Sequence, residues 1–435
     1  MTIDLTVDVS MQDLPREPDS PVVLEHLFRR QAGRIVSSLA GLLGARHLEL
    51  AEDAVQEAML RATRLWPFHG VPERPEGWLY RVAHNYAISA LRRDGRIDAD
   101  SERLIEGLEV RRGLEFEGEE TLRDDELRMI FMCCHPELSR DARVALSLKL
   151  VGGFGVGEIA RVSLVEEQTI AQRLVRAKRV IRERRLSLEM PANGGLSARV
   201  DSVLEVIYLM FSAGYGAGAG EELIRRDVCL EALRLGRLVA GSSMGAPRVD
   251  ALVALMALQA ARLPARMDAA GELVLLEEQD RSLWDSELFG LGFSYFARAI
   301  AGDVVSEWHL QAGIAAVYAK ARISGEIDWV EILESYDQLV LMTDSPVVRL
   351  NRAVAVMRVY GASVALVELE KLEGCEALQG YHLLPAVRGR MLAELGRFAE
   401  AEAAFLEALG CGCSEPERRF LERQRVSAAG AGMAG

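Results

Sequence analysis

A chain of 435 residues exceeds what one hydrophobic core organises, so at roughly 150 residues per domain it divides into two or three domains. Hydrophobic residues make up 50% of it, charged residues 27% and aromatics 6%, the balance of an Ala/Leu-rich helical protein and not of a disordered one. A net charge of −14 argues against a uniformly basic nucleic-acid binder and leaves only local patches for that purpose.

Residues 1–20 mix acid, polar residues and proline without periodicity and read as a flexible tail. They carry Asp4, Asp8 and Asp13 where a leader would be basic and then apolar, and no apolar run in the chain reaches the ~20 residues of a membrane span. A cytoplasmic protein without membrane contact is expected.

Residues 21–94 read as a first helical domain. In LAEDAVQEAMLRATRLW, Ala51, Val55, Ala58, Ala62 and Leu65 fall on one stripe, with Glu49, Glu52, Asp53, Gln56 and Glu57 opposite. A loop is expected from Trp66 to Gly77, where Pro67, Gly70, Pro72 and Pro75 break regular structure. In WLYRVAHNYAISALRR the apolar stripe is Leu79, Val82, Ala83, Tyr86, Ala87, Ala90 and Leu91, and a second face carries Arg81, Asn85, Ser89 and Arg92.

Residues 95–125 lose periodicity and gain acid, the mark of a linker, and helical pattern returns at about Asp125. Residues 126–190 form a second domain that contains a helix-turn-helix. Ile159 and Ala160 lie on its first helix, Ser163–Glu166 form the turn, and Ile170 and Leu174 are the buried face of the second helix. That helix offers Gln168, Thr169, Gln172, Arg173, Arg176, Lys178 and Arg179 to the outside, where Gln suits adenine and Arg suits guanine in a major groove. The run Arg173–Arg185 holds seven basic residues against Glu183 alone, a charge suited to phosphates. Leu164 stands where such turns commonly use glycine, and Glu166 and Glu167 favour the helix dipole while repelling phosphate.

The break MPANGGLS precedes a last helical domain, 196–435. Within it, RISGEIDWVEILESY, RVYGASVALVELEKL and AELGRFAEAEAAFLEAL align on Gly325, Gly361 and Gly396, at spacings of 36 and 35. In the third unit Gly396, Phe398, Ala401, Phe405 and Ala408 resemble a tetratricopeptide repeat.

The six cysteines form no repeated CxxC pair; Cys133 and Cys134, next to His135, are expected to pack, and Cys411 and Cys413 lack an activating group. Neither a metal nor another cofactor is expected. No P-loop, GxSxG or HExxH occurs, so no enzyme is expected.

Taken in order, AEDAVQEAMLRATRLW, GWLYRVAHNYAISALRR and GVGEIARVSLVEEQTIAQRLVRAKRVIRE resemble domains 2 and 4 of extracytoplasmic-function sigma factors, and DELRMIFMCCHPELS and RLNRAVAVM resemble the subgroup with a tetratricopeptide-like C-terminal domain. The resemblance implies an all-α fold of two small sigma domains followed by a tetratricopeptide-like domain. It implies that Asp53, Gln56, Glu57, Leu60 and Arg61 meet core RNA polymerase. Phe68, His69 and Asn85 would trap bases of the −10 element of promoter DNA, with Arg81, Arg92 and Arg93 on its backbone. The helix-turn-helix would read the −35 element, and the C-terminal domain would regulate the factor through a protein partner or an intramolecular contact. The alternative is an ordinary helix-turn-helix regulator fused to a helical scaffold.

Overall fold

The computed structural model describes residues 21–93, 104–106, 108, 119–163, 165–189, 196–216 and 225–434. Among these residues there is no strand; one isolated bridge pairs Met267 with Leu273. The chain forms two compact units, residues 1–159 with 167–203 and residues 160–166 with 204–435. The tail 1–20, most of the linker and the turn residue Leu164 lie outside the described residues.

The first unit opens with α1 (Pro21–Leu43), α2 (Leu48–His69) and α3 (Pro75–Arg93). The buried stripe of α2 is Ala51, Ala54, Val55, Ala58, Ala62 and Trp66. Leu65 is 42% exposed, so the stripe closes on Trp66 instead. The loop is also shorter than its prolines imply. Pro67 sits in the last turn of α2, where the missing N–H removes a single helical bond; the helix ends at Gly70, whose φ of 78° reverses the chain and whose N–H bonds the Trp66 carbonyl at 2.9 Å. Pro75 then starts α3, a position where it needs no N–H partner. Trp66 and Trp78 meet edge-to-face at 5.5 Å and fix the corner between the helices.

Next come α4 (Glu119–Cys133), α5 (Arg140–Leu146) with a π-helical turn at Ser147–Val151, α6 (Val156–Ser163) and α7 (Glu167–Glu183). The start of α4 at Glu119 precedes the expected Asp125, so the linker's acidic end is already helical. Ser139 caps α5 by accepting from the Ala142 N–H at 3.4 Å. Two glycines let α1 lie close to this second group. A Cβ on Gly33 would stand 1.9 Å from the Val151 carbonyl oxygen, and one on Gly41 would stand 2.9 Å from an Asp125 oxygen. Cys133 and Cys134 are fully buried, and burial pushes the Cys133 thiol well above its ordinary value, which makes it a packing residue. The early turns of α8 (Leu196–Tyr215) join the unit through Arg143, which donates to Ser202 Oγ at 2.8 Å, and Arg199, which donates to the Phe131 carbonyl.

The second unit is built on α9 (Arg226–Ala240), α10 (Pro247–Ala260), α11 (Ser286–Ala299) and α12 (Glu307–Ser324). Buried residues run almost without interruption along α10, from Val249 to Leu258, as befits a helix covered on every side. Each of its leucines contributes about 1.5–3 kcal/mol by leaving water. Gly236 and Gly292 admit side chains of α10: a Cβ would stand 2.8 Å from Met256 on the one and 2.7 Å from Leu258 on the other. Burial alone raises a phenol, yet Tyr215 is held below its ordinary value by Arg262 and Arg266, the latter 4.0 Å over its ring.

Three helical hairpins complete the unit: α12 with α13 (Trp329–Met342), α14 (Pro346–Tyr360) with α15 (Ala362–Glu370), and α16 (Leu383–Glu394) with α17 (Phe398–Gly410). The terminal helix is α18 (Glu415–Ala434). The three aligned glycines join the helices of each pair, at φ 83° for Gly325, 89° for Gly361 and 72° for Gly396. The repeat therefore marks real hairpins, and the left-handed conformation explains why glycine recurs. In the third hairpin a Cβ on Gly389 would stand 2.9 Å from the Phe405 ring; this small residue, which the alignment overlooked, lets the two helices close on Phe405.

Candidate nucleic-acid interface

Within the first unit, α2 turns Asp53, Gln56, Leu60 and Arg61 to solvent and leaves Glu57 half-buried. Arg61 Nε donates to Glu57 Oε1 at 2.6 Å, so the face is held as a charged ridge with Leu60, 51% exposed, beside it. Glu52 departs from the expected solvent face: it is buried and pairs with Lys178 of α7. Glu49 likewise approaches Arg182, at 3.8 Å.

At the end of α2, Phe68 is 85% exposed and His69 is exposed beside it. A phenyl ring in water at a helix end is costly and has a free face for stacking. On α3, Arg81, Asn85, Ser89, Arg92 and Arg93 are all exposed, one polar and basic face as the sequence pattern requires. Arg93 lies 5.9 Å over the Tyr86 ring, and its Nε donates to the Ser89 carbonyl at 3.3 Å. The opposite side of α3 holds a feature without a sequence signal. Buried His84 meets the Leu108 carbonyl through Nε2 at 2.8 Å, and Leu108 is itself fully buried, so the linker is pinned to α3 at that point.

The pair α6 and α7 has the interior that the sequence pattern predicts, with Ile159, Ala160, Ile170, Leu174, Ala177 and Ile181 buried. Gly157 gives Glu167 its place: a Cβ there would stand 2.6 Å from Glu167 Oε1. Gln168, Gln172, Arg176 and Arg179 are exposed, whereas Thr169, Arg173 and Lys178 are half-buried. Arg173 is engaged by Asp141 of α5 at 2.9 Å. Lys178 faces α2 and is occupied by Glu52. Sequence reasoning missed Val175, which is 67% exposed. With Gln168, Gln172, Arg176 and Arg179 it forms a continuous stripe at positions i, i+4, i+7, i+8 and i+11. Such a stripe offers amide, guanidinium and methyl groups, the three kinds of group that distinguish bases in a major groove.

Residues 27–97 match the model of sigma-70 region 2, and residues 128–181 match that of sigma-70 region 4. An RNA polymerase sigma-H factor of Pseudomonas aeruginosa is 32% identical over 142 residues, covering 30% of this chain and 70% of that protein. The chain belongs to the sigma-70 family. Its two sigma regions, followed by a long helical extension, make the factor one of extracytoplasmic-function type with a C-terminal extension. Residues 199–300 of that extension match DUF6596, a family of unknown function. An uncharacterized protein of Rhizobium meliloti is 38% identical over 401 residues, 90% of the factor and 94% of that protein. No solved structure matches. Among the described residues no helix is long and apolar enough to cross a membrane.

Proposed function

We propose that the factor divides promoter recognition between two separate surfaces of its first unit. As a sigma factor it binds core RNA polymerase and directs initiation at promoters. In this reading residues 21–94 are the polymerase and −10 domain, and residues 126–190 are the −35 domain. Asp53, Gln56, Glu57, Leu60 and Arg61 dock on polymerase. Phe68 stacks on a base displaced from the opening duplex while His69 and Asn85 contact base edges and Arg81, Arg92 and Arg93 hold phosphates. Gln168, Thr169, Gln172 and Arg176 read the −35 element, with Val175 set against a thymine methyl group and Arg173, Lys178 and Arg179 on the backbone. The observation that carries the reading is the open stripe on α7 together with the 85% exposed Phe68, two surfaces that gain little from folding and much from nucleic acid.

One consequence concerns the ion pairs between α2 and α7. The −10 and −35 elements lie roughly 25 base pairs apart, about 85 Å at 3.4 Å per pair. Promoter binding in this reading parts Lys178 from Glu52 and Arg182 from Glu49, and frees Lys178 for phosphate. The extension, residues 196–435, regulates the cytoplasmic factor or recruits a partner. Purified factor added to core polymerase produces transcripts from defined start sites on genomic fragments; a protein that binds those fragments but never programmes core polymerase would be an ordinary regulator.

A further inference from the structure

Four arginines, two on the first helices of the second and third hairpins and two on the terminal helix α18, converge on two carboxylates of one irregular segment, residues 266–280, in the same compact unit. Arg358, in the last turn of α14, donates to both oxygens of Glu277, at 2.6 Å to Oε2. Arg390 of α16 approaches the same carboxylate at 3.4 Å. From α18, Arg419 stands 3.5 Å from Glu272 and donates to the Gly271 carbonyl at 3.0 Å, and Arg423 pairs with Glu272 as well.

The segment itself has little regular structure. Its one isolated bridge joins Met267 to Leu273, and a turn at Gly271, with φ 73° and with Asp268 Oδ1 accepting from the Ala270 and Glu272 N–H groups at 2.9 and 2.8 Å, presents Glu272 to α18. Leu273 through Leu276 are only half-buried. Partly exposed ion pairs of this kind are worth about 0.2–1 kcal/mol each, so the segment is held by contacts that a competitor can replace. The charges do not balance either. Four guanidiniums face Glu272 and Glu277, with Glu394 3.9 Å from Arg390 as a third carboxylate, and the buried Nε of Arg358 has no hydrogen-bond partner while its guanidinium lies 5.5 Å over the Trp329 ring.

We propose that this arginine row is a docking groove for an extended acidic segment of a partner protein, and that residues 266–280 occupy it as the chain's own stand-in. Charge complementarity identifies the occupant: it carries carboxylates about five residues apart, as Glu272 and Glu277 are, and more acid than the stand-in. Five residues of extended chain span about 16 Å, the scale of two steps between packed helices at 8–10 Å each. The inference deepens the reading of the extension as the partner-binding part of the factor. Its test uses no polymerase and no DNA, so it stands or falls apart from sigma activity.

The probe is a fluorescent synthetic peptide of residues 267–280, followed by anisotropy. The full chain carrying Glu272→Gln and Glu277→Gln, with its own segment loosened, is expected to bind the peptide at least tenfold more tightly than the native chain, with affinity falling as salt rises. Adding Arg358→Ala and Arg423→Ala to that variant removes the gain. The proposal is overturned if the variant binds no more tightly than the native chain, or if a peptide with glutamine at both positions binds equally well. Circular dichroism checks that the variants fold. Should they not, amide exchange of the native chain decides: excess Glu-rich peptide speeds exchange across residues 268–276, and unchanged exchange refutes the groove.

Discussion

The helix α7 and the row formed by α14, α16 and α18 both gather arginines, yet they use them in opposite ways. On α7 the outer stripe of Gln168, Gln172, Val175, Arg176 and Arg179 is exposed, Arg179 meeting only the equally exposed Glu183 of its own helix at 3.8 Å, and Arg173 and Lys178, bound by carboxylates of other helices, stand to its sides. In the second unit Arg358, Arg390, Arg419 and Arg423 are all taken by carboxylates of the same chain. Open guanidiniums beside amides suit a ligand with both phosphates and base edges, and such binding is salt-dependent through counterion release. Guanidiniums already paired with carboxylates suit exchange of one acidic segment for another.

Charge reversal separates the two rows most sharply. Arg176→Glu with Arg179→Glu is expected to lower promoter affinity at least 100-fold; the milder Arg179→Ala, which removes one backbone contact, reduces the slope of log affinity against log salt by about 1, at roughly 0.9 per phosphate contact. Arg358→Glu with Arg423→Glu leaves both quantities unchanged. Filter binding across a salt series measures this, and a promoter defect from the second pair would merge the two rows. Gln172→Ala then tests whether the α7 stripe reads sequence: discrimination at one upstream base pair drops by about 1–3 kcal/mol while other positions keep theirs. Competition binding against single-base variants measures it, and a uniform loss would reduce Gln172 to a backbone contact.

Arg298 gives a third case, a guanidinium used for folding alone. It grips the buried Asp250 at the start of α10 through Nε at 3.1 Å and Nη2 at 2.9 Å. Burial holds the Asp250 carboxyl above its ordinary value in spite of this partner. Losing a partner of a buried charge costs about 3–5 kcal/mol, and the half-exposure of Arg298 brings Arg298→Met to about 1–3 kcal/mol. A carboxyl raised on folding binds its proton more readily in the folded state, so its contribution is most favourable below the unfolded pKa and is lost as pH rises through the folded one. The deficit of Arg298→Met therefore shrinks on acidification into the carboxylate range; denaturant melts at two pH values measure it, and a deficit independent of pH would locate the cost in lost packing. Smallest of all, Arg182→Ala shifts stability by less than about 0.5 kcal/mol, because Arg182 and Glu49 are both exposed.

Much of this fold is legible in local pattern. Hydrophobic period 3.6 marks the stripes of α2, α3 and α7, and the glycine spacing marks hairpins whose turns need positive φ. The misreadings occur where the deciding partner is distant or the signal is ambiguous. Leu65 falls on the apolar stripe by period alone, but Trp66, held edge-to-face against Trp78, takes the buried place and leaves Leu65 exposed. Pro67 reads as a break but falls where a helix is ending anyway. Glu52 fits a solvated acidic face until Lys178 arrives from a helix more than a hundred residues on. His84 gives no hint of Leu108, nor Gly389 of Phe405. Of the interface, residue types and helical faces are readable from sequence, whereas Val175 stands out only once its exposure within the stripe is known.

In the proposed division of labour the factor both selects and opens promoters, with Phe68 acting in the opening. Phe68→Ala, at a site so exposed that stability is unaffected, is the direct probe: stacking on one base is worth about 1–3 kcal/mol. With core polymerase on a duplex promoter, the variant should yield roughly 10- to 100-fold fewer transcripts than the native factor. It should recover native output on the same promoter with its −10 element already unpaired. An equal defect on both templates, or none on either, would rule out a role for Phe68 in opening.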